Sequence, residues 1–171
     1  MCADIGGTKT HPFLCVVDDC SRNAWIRHLT SKDKVYEEFT ALVAMVERER
    51  QPDKVGCLRA DGETVFVGLR MQNYLKEKGI RFQCSARYRH DQNGIAERKI
   101  KTVQEMARTF MMDAAAPPTD YGYALDWACQ LMNRMPTRAL ADGKTPNTRY
   151  GSDKWTKGGY SVTGLFGAFC M

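Results

Sequence analysis

Two acids are spaced for chemistry on phosphates. Asp61 closes the apolar run Val55-Gly-Cys-Leu-Arg-Ala60, and Glu97 follows after 35 intervening residues, in what reads as the first turn of a helix. An acid at the carboxyl end of a strand lies where open α/β sheets place their ligands. Cutting or joining a phosphodiester builds charge on the attacking and the leaving oxygen. Two divalent ions about 3.5–4 Å apart can clamp both. Magnesium prefers carboxylate and water ligands. Clustered carboxylates repel one another without a cation, and one then tends to take up a proton. Each acid alone also has a plainer reading. Asp61 fits a strand-end turn, and Glu97 fits a helix N-terminal acid favoured by the dipole and paired with Lys101 at i+4. A two-ion clamp calls for a third carboxylate. Asp4, which precedes Gly6-Gly7 and the run beginning at Phe13, is the local candidate.

Holding such acids together takes a sheet and covering helices. Phe13-Leu-Cys-Val-Val-Asp18 is an apolar run of strand length, followed by the turn Asp19-Cys-Ser-Arg22. From Asn23 to Leu29 the residues alternate, with Trp25, Arg27 and Leu29 opposite Ala24, Ile26 and His28. The two runs predict an antiparallel hairpin. Ser31 as N-cap and Asp33 in the first turn predict a helix. Val35, Phe39, Leu42, Val43 and Val46 continue it to Pro52. A short helix through Leu69, Met71, Tyr74 and Leu75 should stop at Gly79. Ile80 to Cys84 reads as a strand, and the segment from Ser85 to Gly94 is turn-rich.

A long helix from Ile95 to about Met112 carries the stripe Val103, Met106, Ala107, Phe110 and Met111. Met106, Met111, Met112, Trp127 and Leu131 are expected in the core. Pro117-Pro118 breaks the pattern, and a further helix spans roughly Asp120 to Met135. The glycine-bearing stretch beyond reads as irregular. A strand should precede Phe13, with only about four residues for it. Strands mixed with covering helices predict an α/β layer fold. Residues 1–150 are expected to form one core domain with an incomplete first strand, and 151–171 an irregular extension.

Composition narrows the alternatives. The 171 residues are 43% hydrophobic and 26% charged, which suits a globular chain. No apolar run is long enough to span a membrane, and Met1-Cys-Ala-Asp-Ile-Gly-Gly7 lacks the charged and apolar regions expected of a signal peptide. Seven cysteines without a CxxC read as reduced thiols. Three histidines without ligand spacing argue against zinc. A net charge of +5 permits phosphate binding and equally fits a mildly basic surface.

The phrase Gln92-Asn-Gly-Ile-Ala-Glu-Arg-Lys99 is the most specific in the chain. It resembles the Q-N-G-V-A-E-R-K segment of copia-type retrotransposon integrases, members of the retroviral-integrase-like superfamily of polynucleotidyl transferases. Phe13-Leu-Cys-Val-Val-Asp-Asp-Cys-Ser-Arg-Asn-Ala-Trp25 is similar to the family's Y-F-L-x-F-I-D-D-x-S-R-x-x-W. Leu58-Arg-Ala-Asp61 resembles L-R-S-D, and Glu105-Met-Ala-Arg108 matches E-M-A-R. Leu131-Met-Asn-Arg-Met-Pro-Thr-Arg-Ala139 resembles L-L-N-R-x-P-T-K-A, and Lys144-Thr-Pro146 matches K-T-P. Val162-Thr-Gly-Leu-Phe-Gly167 is a looser match to H-L-R-V-F-G.

The resemblance implies a ribonuclease-H-like fold, a mixed central sheet with helices on both faces. It implies catalytic and metal-binding roles for Asp61, Glu97 and a first aspartate, with magnesium or manganese, two ions in a complete site. It implies 3′-end processing and strand transfer of element DNA into target DNA. Double-stranded DNA and further copies of the chain would be the partners, without a membrane, in the nucleus or a cytoplasmic retrotransposon particle. Lys101, Arg98, Lys99, Asn93 and Arg89 would hold DNA. Asp18 and Asp19 match family acids at a strand turn and read as structural.

Three departures bear on activity. The family's glycine two places after the second aspartate is here Gly62, one place after, followed by Glu63. T-P-Q-Q-N-G becomes Arg89-His-Asp-Gln-Asn-Gly94, which loses the proline and adds Asp91. The first aspartate of the family lies in D-x-x-G-P, upstream of a Gly-Gly. Either Asp4 fills that role, or Ile5-Gly-Gly7 aligns with the later glycines and the aspartate precedes Met1. The second alternative predicts a remnant with the fold, weak nucleic-acid binding and little joining activity. Asp4-Ile-Gly-Gly-Thr-Lys9 also resembles the phosphate hairpin of sugar kinases, but no second phosphate loop follows and the chain is too short for two lobes.

Overall fold

Alternation in the strands decides which side chains enter the core and which are left for chemistry. The computed structural model describes residues 1–8, 10–62, 64–84 and 94–151. Five strands build one sheet: β1 (Cys2–Gly7), β2 (Pro12–Val17), β3 (Ala24–His28), β4 (Cys57–Ala60) and β5 (Arg81–Cys84). Their order is β3-β2-β1-β4-β5. β1 pairs antiparallel with β2, and β2 with β3. β1 with β4 and β4 with β5 are parallel. The helices are α1 (Val35–Glu49), α2 (Thr64–Val67), α3 (Leu69–Lys78), α4 (Gly94–Asp113), α5 (Tyr121–Arg134) and α6 (Pro146–Tyr150).

The chain forms two units, residues 1–19 with 24–101 and residues 20–23 with 102–171. In the first unit, Ala3, Leu14, Val16, Leu58 and Ala60 point to one side of the sheet. There they join Phe39, Leu42, Val43 and Val46 of α1 and Met71 and Leu75 of α3 in a single buried cluster. Ser31 precedes a 3-10 turn, Lys32–Lys34, makes no side-chain cap bond, and α1 begins only at Val35. Gly79, at φ 69°, adopts the left-handed conformation that closes α3. β1 is six residues long and paired with β2 throughout, longer than the sequence pattern alone predicts. Its far side differs from the core side. A Cβ on Gly6 would stand 2.7 Å from the Phe13 ring and 2.8 Å from Cγ2 of Ile100, so the missing side chain lets the start of α4 lie on the strand.

The second unit holds the rest of α4 with α5 and α6. Val103, Ala107, Leu125, Ala128 and Cys129 are buried. Met112 is 83% exposed, contrary to the core role expected of it. Nine residues at 100° each set it about 180° from Val103 around the helix. Met106, Met111, Trp127 and Leu131 are only half-buried. The stretch read as irregular contains α6. Thr145 caps it by accepting the Thr148 N–H at 3.1 Å, Pro146 opens it, and Gly151 at φ 82° ends it. Residues 152–171, nearly all of the expected C-terminal extension, lie outside the described residues.

Candidate active site

The parallel pairing of β1 with β4 ends one residue short of both Asp4 and Asp61. β1 and β4 pair Cys2 with Arg59 and Ala3 with Ala60. Asp4 and Asp61 are the next residues along the two strands, each one past that last pair. β4 stops at Ala60, while β1 continues to Gly7 against β2. The parallel ladder therefore opens at the two acids. Alternation turns both away from the core face that holds Ala3, Leu58 and Ala60. Both are half-buried. The Ile5 N–H donates to Oδ1 of Asp4 at 2.8 Å. Across the hairpin, fully buried Cys15 is the register partner of Asp4. Asp18 follows Val17, which pairs with Cys2, so it belongs to the other end of β1.

Glu97 lies in the first turn of α4 with its side chain exposed. Ile100, one turn later, is the residue that rests over Gly6. Residues three apart on a helix have Cβ atoms roughly 5–6 Å apart. Gly6 and Asp4 share a face of β1, two residues or about 6.6 Å apart. The first turns of α4 thus lie on the sheet face that carries Asp4 and Asp61. Among the described residues, no three His, Cys, Asp or Glu side chains gather closely enough to hold a metal ion. Two of the three expected acids directly follow the last β1–β4 pair, and the third lies on an exposed helical turn.

The basic residues divide similarly. Arg98 and Lys101 are exposed on α4, and Lys99 is half-buried. The Arg98 guanidinium bends back toward Gly94, with Nη1 3.5 Å from that residue's missing Cβ position. Asn93 and Arg89 lie outside the described residues, as do Asp91 and Glu63. Arg59 emerges as a further candidate. Its Nε and Nη2 donate to Oε1 of Gln83 at 3.4 and 3.2 Å. The clue in the sequence is its place in Leu58-Arg-Ala-Asp61, two residues before the acid and hence on the same face. On α1, Glu37 has its carboxyl held below the ordinary carboxylate range, first by a backbone hydrogen bond and then by the Arg70 guanidinium at 3.1 Å.

Over 137 residues, 80% of this chain, the sequence is 34% identical to the retrovirus-related Pol polyprotein from transposon TNT 1-94 of Nicotiana tabacum. The chain belongs to the retrotransposon Pol polyprotein family, as an integrase-like domain. It is also 34% identical, over 128 residues or 75% of its length, to the Pol polyprotein from transposon RE2 of Arabidopsis thaliana. This domain spans about a tenth of the length of those relatives. No protein-family model matches it.

Solved structures bear out the expected ribonuclease-H-like fold. The catalytic core domain of BIV integrase superposes with a TM-score of 0.64 at 18% identity, over 91% of this chain and 95% of that one. The HTLV-2 integrase catalytic core in complex with magnesium, in its dimeric form, gives 0.65 at 14% identity, over 87% and 93%. A chain of the simian T-cell lymphotropic virus intasome in complex with PP2A regulatory subunit B56 gamma gives 0.71 at 18% identity, over 90% and 54%.

Proposed function

We propose that this integrase-like domain is the catalytic core of a copia-type retrotransposon integrase, which trims element DNA ends and joins them to target DNA. The observation that carries the reading is the end of the β1–β4 pairing at Ala3 and Ala60, one residue before Asp4 and Asp61. It favours Asp4 over an aspartate before Met1 as the first acid of the site. An oxygen-rich donor set on neighbouring strands fits magnesium or manganese. Asp4, Asp61 and Glu97 would hold the ions, two when the site is complete. A divalent cation bound there supplies Lewis-acid stabilisation for charge on the attacking and leaving oxygens. Asp4 is fixed by the pairing of β1 with β2, and Asp61 follows the last residue of β4. Glu97 approaches on α4, whose position depends on the seat of Ile100 over Gly6. Lys101, Arg98 and Lys99 on the same helix, with Asn93 and Arg89 before it, would hold phosphates of double-stranded DNA. The active assembly would be a homo-oligomer, acting in the nucleus or a cytoplasmic retrotransposon particle.

One observation favours a second reading, a remnant that keeps the fold and weak DNA binding without joining. Among the described residues the three acids do not form one metal-holding cluster. Magnesium- or manganese-dependent joining of short DNA duplexes separates the two. The integrase reading expects joining that falls by about 10³-fold or more in Asp61→Asn and in Asp4→Asn, roughly 4 kcal/mol of transition-state stabilisation. Loss in Asp61→Asn alone would put the third ligand elsewhere. Absence of joining with DNA binding intact would establish the remnant.

A further inference from the structure

We infer that Arg59 and Arg81, on the open face of strands β4 and β5, contact the phosphates of a nucleic-acid strand leading to Asp61. The residues follow from register. Leu58, Ala60 and Ile80 belong to the apolar cluster and Phe82 packs against it, so the residues alternating with them on β4 and β5 face the other way. Those residues are Cys57, Arg59, Arg81 and Gln83, with Asp61 one step past the end of β4. Arg59 pairs with Gln83 and Cys57 with Arg81. From Asp61, Arg59 lies one step of about 6.6 Å down the sheet, and Arg81 lies a second such step down on the neighbouring strand. Over β1 this same face is covered by Ile100. On β5, Arg81 and Gln83 are exposed, and Arg59 beside them is half-buried.

Carboxylates hold some of the other cations in this unit. Arg50 is bridged to Asp53, Arg70 to Glu37 and Lys78 to Glu47. Among the described residues no carboxylate is paired with Arg59 or Arg81. Arg59 is steered instead by a neutral amide, since the Gln83 oxygen accepts from two of its nitrogens. A guanidinium has five donors, so others remain for a ligand. A fork that is already oriented loses less freedom on meeting an anion. An ordinary solvated surface arginine has neither the oriented fork nor a place in a row that begins two residues from a candidate catalytic acid. Phosphate contacts of this kind position a strand without reading its sequence.

The identity of the anion rests on the integrase reading, and the test separates the two. Affinity for a short DNA duplex is measured against salt for the full chain, for Arg59→Gln with Arg81→Gln, for Arg81→Gln alone, and for Arg70→Gln as a control. The slope of log affinity on log salt should fall by about one per lost contact, hence by about two in the double variant. It should not change in Arg70→Gln. Arg81 has no side-chain partner among the described residues, so the single variant serves if the double one fails to fold. An unchanged slope, or no DNA binding by the parent, overturns the inference. An unchanged slope with joining lost in Asp61→Asn breaks the strip and leaves the integrase reading standing. A reduced slope with joining indifferent to Asp61→Asn breaks that reading and keeps the strip.

Discussion

The two faces of the central sheet use the same strands for opposite ends. On one face Ala3, Leu14, Val16, Leu58 and Ala60 are sealed against α1 and α3. On the other, Asp4, Asp61 and Arg59 stand half-buried within one residue of those core positions. The backbone ladder is common to both, so the core face fixes the position of the acids without touching them. A one-residue slip of β4 against β1 would exchange the two sets of side chains. The apolar residues between the acids therefore serve as the register device of the site.

Substitutions on the two faces should separate stability from chemistry. The largest stability effect is expected on the core side, from Phe39→Ala. Phe39 is fully buried in α1, and the truncation should cost about 3–5 kcal/mol. Urea unfolding should show the drop, while joining per folded molecule stays near the parent value. A loss of joining in folded protein would mean that the faces are not independent. A smaller effect is expected at Gly6, where the site face meets α4. Gly6→Ala crowds Phe13 and Ile100 and should cost about 1–3 kcal/mol by overpacking. Because Ile100 is one turn from Glu97, this variant should also lower joining, unlike Phe39→Ala. Full stability with full joining in Gly6→Ala would show that α4 is not seated through this contact.

Much of this was legible in the sequence, for stated reasons. Period-two alternation marked β3, and apolar runs marked β2 and β4, because each strand buries at least one face. The acids Asp61 and Glu97 were marked by spacing and by the phrase around Glu97. Asp4 could not be decided from sequence, since what brings its strand to the one that ends before Asp61 is a parallel pairing across more than fifty residues. Short-range pattern does not encode such a pairing. Arg59 stands in Leu58-Arg-Ala-Asp61, two residues from the acid, but its hold by Gln83 comes from the β4–β5 register. α6 was missed although Thr145, Pro146 and Gly151 spell a capped start and stop. Five residues are too few for a periodic signal. Met112 is expected in the core, but helical phase puts it outside.

Asp4 and Asp61 are proposed to serve one cation site. Manganese binding, followed by electron paramagnetic resonance on the full chain and on Asp4→Asn and Asp61→Asn, tests it most directly. The two variants should weaken binding to a similar extent, and the double variant should bind little more weakly than either, as expected for ligands of a shared ion. Binding that is lost in Asp61→Asn but unchanged in Asp4→Asn would contradict the account and remove Asp4 from the site.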